Sequence, residues 1–270
     1  YIGPLDMAAR LRSTFDTMQR LERYRGHFLN WIDTRTLEPL PPRYVSTVDS
    51  GNLAAALIAL KHGCLAQKSE PMWRWERWAG LLDTLTLLDQ ALAPLFDQTP
   101  SPDDRLRATV GEIQRRVMAV RTDEGAWYPL LIELGELREE LNQGLLELVE
   151  SHTTGFDPEL IQRCRIYVER VHAHGDNLRR DADRLQPWLG WLKATPALFR
   201  EQGSPRAVRS AWEEVAAPFP LTPPLDQVSA ICQRGQEALD DLCVLLTGTG
   251  GTTPDALDAA RWCQGFAADL

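Results

Sequence analysis

Apolar residues recur at steps of three and four through most of this chain, and that spacing commits it to helices before any other feature is weighed. Leu106, Val110, Ile113, Val117 and Val120 alternate steps of four and three, the seam of a coiled-coil-like helix. Trp127, Leu130, Leu134, Leu137, Leu141, Leu145 and Leu148 carry the same alternation over a longer segment. Trp75, Trp78, Leu82, Leu85, Leu88 and Leu92 form another stripe between Pro71 and Phe96. No apolar/polar alternation of useful strand length interrupts them. An all-α fold is expected, with a set of long antiparallel helices over residues 65–270.

Capping signals divide that region. Asp157-Pro158, Ser204-Pro205 and Thr253-Pro254 each place a capping side chain before a proline tolerated at the first helical position, so helices should begin at all three. Gly155, Thr195-Pro196, the proline-rich run Pro218 to Pro224, and Thr247 to Thr253 mark breaks. The stripe Ile161, Cys164, Val168, Val171, Leu178 and Leu185 could continue to Trp188, bent near Gly175 or Pro187.

Residues 1–64 read differently. A first helix, roughly Leu5 to Tyr24, carries Met7, Leu11, Phe15, Met18 and Leu21 on one stripe. Ser46-Thr47-Val48-Asp49 has the form of a capping box, and Leu53, Ala56, Leu57 and Leu60 follow at helical spacing. Between these helices, Gly26 to Val45 has no regular repeat over about twenty residues, a length that is usually functional or disordered. Tyr24, Phe28, Trp31 and Tyr44 argue for order, because unfolded segments are poor in aromatics.

The chemistry of this loop suits a carbohydrate. Trp31 and Tyr44 offer flat apolar faces to a sugar ring, and Arg25, Asn30, Asp33, Arg35 and Arg43 offer donors and acceptors for hydroxyls, with Asp49 as a further acceptor. The same residues also suit a packed loop in which Tyr24, Phe28 and Trp31 are core anchors and Asp33 and Arg35 a local turn pair. Trp73, Trp75 and Trp78, and likewise Trp188 and Trp191, could meet a sugar, but their helical spacing favours packing. Glu139-Glu140 and Glu213-Glu214 are adjacent on helices, so each pair splays around the surface into solvent.

Composition excludes several classes. A formal charge of −9 and a pI near 5.1 argue against a nucleic-acid or anionic-membrane surface, which needs clustered positive charge. Cys64, Cys164, Cys232, Cys243 and Cys263 are odd in number and form no C-x-x-C pair, so they read as free thiols in a reducing compartment. His172 and His174 sit two apart and point to different sides of a helix, which is no metal spacing. With no glycine-rich phosphate loop or nucleophile elbow, neither a metal nor another cofactor is expected. The longest apolar run, Leu53 to Leu60, is far short of the roughly 20 residues that span a bilayer, so a soluble piece is expected.

The segment YRGHFLNWIDTRTLEPLPPRYVSTVDSGNL resembles the glucoamylase-like middle region of bacterial cyclic β-1,2-glucan synthases. The resemblance is dense over residues 1–64 and reduces to a similar run of helices over 65–270. Ile32 stands where members of that family often carry an aromatic ring. The resemblance implies that residues 1–64 form a helical hairpin of an (α/α)6 toroid. It further implies a large parent enzyme on the cytoplasmic side of the bacterial inner membrane, which builds linear β-1,2-glucan from UDP-glucose in another region. The middle region would close that glucan by retaining transglycosylation, with a carboxylate pair about 5 to 5.5 Å apart. That pair is expected beyond Leu270. Tyr24, Arg25, His27, Trp31, Asp33, Arg35, Arg43, Tyr44 and Asp49 are then the residues expected to line the glucan path. The start at Tyr1 and the helix-like composition up to Leu270 fit an excised part of a larger domain. The alternative is a non-catalytic helical module that holds other regions of a synthase in register or mediates self-association, a role suited to the heptad seams.

Overall fold

The computed structural model describes residues 2–98, 105–151, 157–201, 204–248 and 253–270. Among the described residues the fold is all-α apart from one two-stranded ribbon. Backbone contacts divide the chain between Pro71 and Met72 into two compact units.

In the first unit, α1 (Pro4–Arg20) begins on a proline, whose missing N–H costs nothing at that position. It ends before the expected Tyr24, because Leu21 turns to an extended backbone. Arg23–Tyr24 (β1) and His27–Phe28 (β2) then pair antiparallel, with Arg23 opposite Phe28 and Tyr24 opposite His27. Arg25 and Gly26 between them both have positive φ, 50° and 89°, which is what a two-residue hairpin turn requires. The expected capping residue starts α2 (Thr47–Ser69): Oγ of Ser46 accepts the N–H of Asp49 at 3.1 Å. α2 runs unbroken through Cys64. Neither α1 nor α2 buries a residue, and Leu29 is the one hydrophobic side chain of this unit that is buried among the described residues.

The second unit is densely packed. Its first four helices are α3 (Trp75–Gln98), α4 (Arg105–Ala119), α5 (Trp127–Ser151) and α6 (Pro158–Leu185). Each packs on the next, and α6 returns to α3. Short connections between neighbouring helices make this ring an antiparallel four-helix bundle. The stripes read from the sequence line its core: Trp78, Leu85, Leu88 and Leu92 of α3, Leu106, Val110, Ile113 and Val117 of α4, and Trp127, Leu130, Leu134, Leu141 and Leu145 of α5. Asp157 caps α6 by accepting the N–H of Glu159 at 2.9 Å, and α6 passes Gly175 to end at Leu185. A side chain at Gly175 would place its Cβ 2.5 Å from Nη1 of Arg138. That buried guanidinium crosses there to donate to the carbonyl of His172 and to Asp176, both at 2.7 Å.

Five further helices follow among the described residues: α7 (Trp188–Lys193), α8 (Ala197–Arg200), α9 (Arg206–Ala216), α10 (Val228–Gly248) and α11 (Pro254–Asp269). An aromatic cluster holds them together. Trp191 stacks on Phe266 with ring centroids 5.6 Å apart, Phe199 stacks on Trp212 at 5.0 Å, and Trp262 meets Trp191, Trp212 and Phe266 edge-on. Thr253 caps α11, its hydroxyl accepting from the N–H of Ala256 at 3.3 Å. Ser204 does not cap α9, contrary to expectation: Pro205 is itself the extended residue before Arg206, so the hydroxyl lies one position too early. The proline-rich break is tied down through its carbonyls, with Trp188 donating to Pro220 at 3.1 Å and Gln186 to Leu221 at 2.7 Å. The breaks expected at Gly155, Gly250 and Gly251 lie outside the described residues. No helix among the described residues is long and apolar enough to cross a membrane.

Candidate functional site

The irregular segment of the first unit folds into three pieces, each with its own polar lock. Trp31 to Leu40 doubles back on itself: Leu40 N–H donates to the Trp31 carbonyl at 2.9 Å, and Asp33 N–H to that of Glu38 at 2.9 Å. Asp33 holds the bend. Its carboxylate accepts the backbone N–H of Arg35 at 2.8 Å and that of Thr36 at 3.3 Å, with the Arg35 guanidinium at 3.4 Å. These bonds to the charged form, the Arg35 N–H foremost, lower the Asp33 pKa. Of the two readings of Asp33 and Arg35, the local turn pair describes this geometry.

Trp31 and Tyr44 come together. The Tyr44 hydroxyl accepts from Nδ2 of Asn30 at 2.7 Å and from Nε1 of Trp31 at 3.1 Å, while Asn30 N–H donates to the Tyr44 carbonyl at 3.0 Å. Trp31 remains 58% exposed and Tyr44 43%, so neither is a core anchor. Both rings are pinned by their polar edges and leave apolar surface open. Burying such rings in a protein core would instead leave them no surface to share with a ligand. Arg43 pairs with Glu22, joining the end of the segment to its start, and Arg25 lies over the Tyr24 ring at 5.5 Å.

A cleft of about 710 Å³ lies between β2 and the first turns of α2. His27 and Asp49 line it, as do Phe28, Leu29 and Asn30 on one side and Ser46, Ser50, Leu53 and Leu57 on the other. Of the nine sequence candidates, His27 and Asp49 are therefore on the wall. Trp31 and Tyr44 connect to it through Asn30. Tyr24, Arg25, Asp33, Arg35 and Arg43 are not among the lining residues. Asn30 is what residue-by-residue reading undervalued, because its two partners belong to a tyrosine fourteen positions later.

The second unit has an open, part-polar cleft of about 750 Å³, whose lining includes Asp183, Arg184, Ser229, Gln233, Gln236 and Asp269, and a smaller one of about 230 Å³, walled by Trp73, Trp127, Tyr128, Leu189, Leu192 and Leu221. Two of the aromatic polar atoms of the smaller cleft are engaged elsewhere: Trp127 Nε1 donates to the Val120 carbonyl at 2.8 Å, and Tyr128 to Asp183 at 3.3 Å. Trp73 and Trp78 are buried, their centroids 6.0 Å apart, so they are core rather than a platform. Glu139, Glu140, Glu213 and Glu214 are exposed, as their adjacency on helices predicted. Among the described residues no group of His, Cys, Asp and Glu is placed to hold a metal ion.

Part of this chain is related in sequence to a cyclic glucan synthase. Over 118 residues it is 42% identical to the cyclic beta-(1,2)-glucan synthase NdvB of Rhizobium meliloti (strain 1021), a stretch that makes up 43% of this chain. The same stretch spans 4% of that relative's length. No protein-family model matches the chain.

Proposed function

We propose that residues 2–71 provide a glucan-contacting surface within a cyclic β-1,2-glucan synthase, in the toroidal region that closes linear glucan by retaining transglycosylation. The observation that carries this reading is the hydrogen-bonded group of Asn30, Trp31 and Tyr44 beside the His27–Asp49 cleft. The exposed indole and phenol faces suit the C–H face of a glucose ring. The hydroxyls of Ser46 and Ser50, the Asp49 carboxylate and the His27 ring suit its hydroxyls. Arg25, Arg35 and Arg43 are exposed and would reach the glucan only at the outer rim. The catalytic carboxylates and the region using UDP-glucose belong to other parts of the parent, at the cytoplasmic face of the inner membrane.

Calorimetric titration with linear β-1,2-glucan, on this chain and on one extended past Leu270, tests the reading. Trp31→Ala should weaken binding about tenfold, ~1.4 kcal/mol. Tyr44→Phe, which removes the shared acceptor, should weaken it less. Arg43→Ala should have a small effect through the Glu22 pair. Unchanged affinity for Trp31→Ala and Tyr44→Phe together would remove the site. The bundle of α3 to α6 favours a second, compatible reading, in which residues 72–270 serve as a helical scaffold or self-association module. A strictly monomeric species in light scattering would count against self-association.

A further inference from the structure

We propose that Cys243 and Cys263 form an oxidisable dithiol, which reacts with hydrogen peroxide and closes to a disulfide linking α10 to α11. The two helices pack along much of their length, with Cys243 on the side of α10 that faces α11. Cys243 Sγ donates to the carbonyl of Ala260 at 3.6 Å. Ala260 and Cys263 are three apart on α11, hence on one face, and both are buried. The two side chains are near enough that each bears on the other's titration.

Exposure assigns the roles. Cys263 is fully buried, whereas Cys243 is only partly so and its neighbour Val244 is 69% exposed. A small peroxide therefore meets Cys243 first. The Cys243 thiolate attacks one peroxide oxygen, the O–O bond breaks, and sulfenic acid forms with release of water after protonation. Cys263 then attacks the Cys243 sulfur. The S–O bond breaks, the S–S bond forms, and the hydroxyl leaves as a second water with the Cys263 proton. The peroxide is reduced and the two thiols are oxidised by two electrons.

Desolvation raises the pKa of both thiols, Cys263 the more strongly, so the thiolate is scarce at neutral pH and the reaction is slow there. Its rate should climb with pH. Cys164 differs: its thiol is pushed up to about 11 by burial and donates to the Ala91 carbonyl at 3.4 Å across the bundle.

The test is peptide mapping of the reduced, unsubstituted chain after hydrogen peroxide at mildly alkaline pH. The expected product is one peptide pair joining Cys243 to Cys263, two hydrogens lighter than its parts and split by dithiothreitol. The unfolding temperature should rise by a few degrees, because the new loop restrains the unfolded chain. Cys263→Ser should instead leave a sulfenic acid on Cys243 that dimedone traps, and Cys164→Ser should change nothing. Recovery of both cysteines as free thiols, or sulfinic acid on Cys243 with no linked peptide, would overturn the proposal. Because the mapping uses the unsubstituted chain, a misfolded variant cannot obscure the answer.

Discussion

The two units of this chain solve the problem of apolar surface in opposite ways. Residues 72–270 turn each stripe inward: Trp78, Leu85, Leu88 and Leu92 are all at 0% exposure, and nearly every aromatic meets another. Residues 2–71 do the reverse, although α2 is about as apolar as α3 and α5 and far more so than α4 and α6. Val48, Ile58 and Leu65 of α2 are 70%, 60% and 52% exposed, with Ile58 and Leu65, two turns apart, on one side of the helix and Val48 about a quarter turn around from them. The second unit holds itself together by burial. The first is held largely by polar bonds: the Ser46 cap, the Asp33 turn, the Tyr44 acceptor and the Arg43–Glu22 pair. Such bonds stabilise a loop in one shape without closing over it, which keeps rings and polar groups available.

The sharpest way to break this contrast is to remove a large side chain from each unit. Trp78→Ala should cost about 3–5 kcal/mol in chemical denaturation, whereas Leu57→Ala, on a partly exposed face of α2, should cost under about 1 kcal/mol. Equal losses would mean that the first unit has a core after all. A second measurement concerns how tightly the bundle is filled. Gly175→Ala should destabilise by about 1–3 kcal/mol, because Arg138 must leave its partners. Gly111→Ala, mid-helix in α4 with nothing within 4 Å, should stabilise by up to about 1 kcal/mol. A stabilising Gly175→Ala would show slack where the structure has none.

Caps sharpen the comparison further. Ser46→Ala should cost about 1 kcal/mol and speed amide exchange in the first turn of α2, whereas Ser204→Ala, at a serine that caps nothing, should be near neutral. The smallest effect is a pH dependence of the second unit. His174 is buried with Nε2 at 2.9 Å from the Arg77 carbonyl, and desolvation lowers its pKa in the folded state. The unfolded chain then binds a proton that the folded one refuses, so stability should fall as pH drops through about 6.5 and level off below the depressed folded value. His174→Gln should flatten that part of the stability–pH curve. An unchanged slope would show that His174 is not its source.

Much of the architecture was readable in advance for a local reason. A stripe at helical spacing and a capping residue act within a few positions of each other, so α3, α4 and α5 appear in the sequence with their buried residues, and Ser46, Asp157 and Thr253 with their roles. Ser204 misled because one extended proline shifts a helix start by a residue. The β1–β2 ribbon was not readable, since its strands are two residues long and its turn opens with Arg25 rather than asparagine or glycine. In the candidate site the residue types were legible, but not their partition. That Asp33 folds a turn while Trp31 joins Tyr44 depends on where the chain doubles back.

By itself, the order of residues determined that this chain is helical, where most helices start, and which segment carries rings and charges without regular structure. Those properties rest on periodicity and on contacts within one turn of backbone. Only the tertiary structure decided that α6 closes a ring onto α3, that Arg138 needs the bare backbone of Gly175, and that Asn30, Trp31 and Tyr44 share one hydroxyl. Each of these joins groups far apart along the chain, and no local pattern encodes which distant partner a side chain will meet.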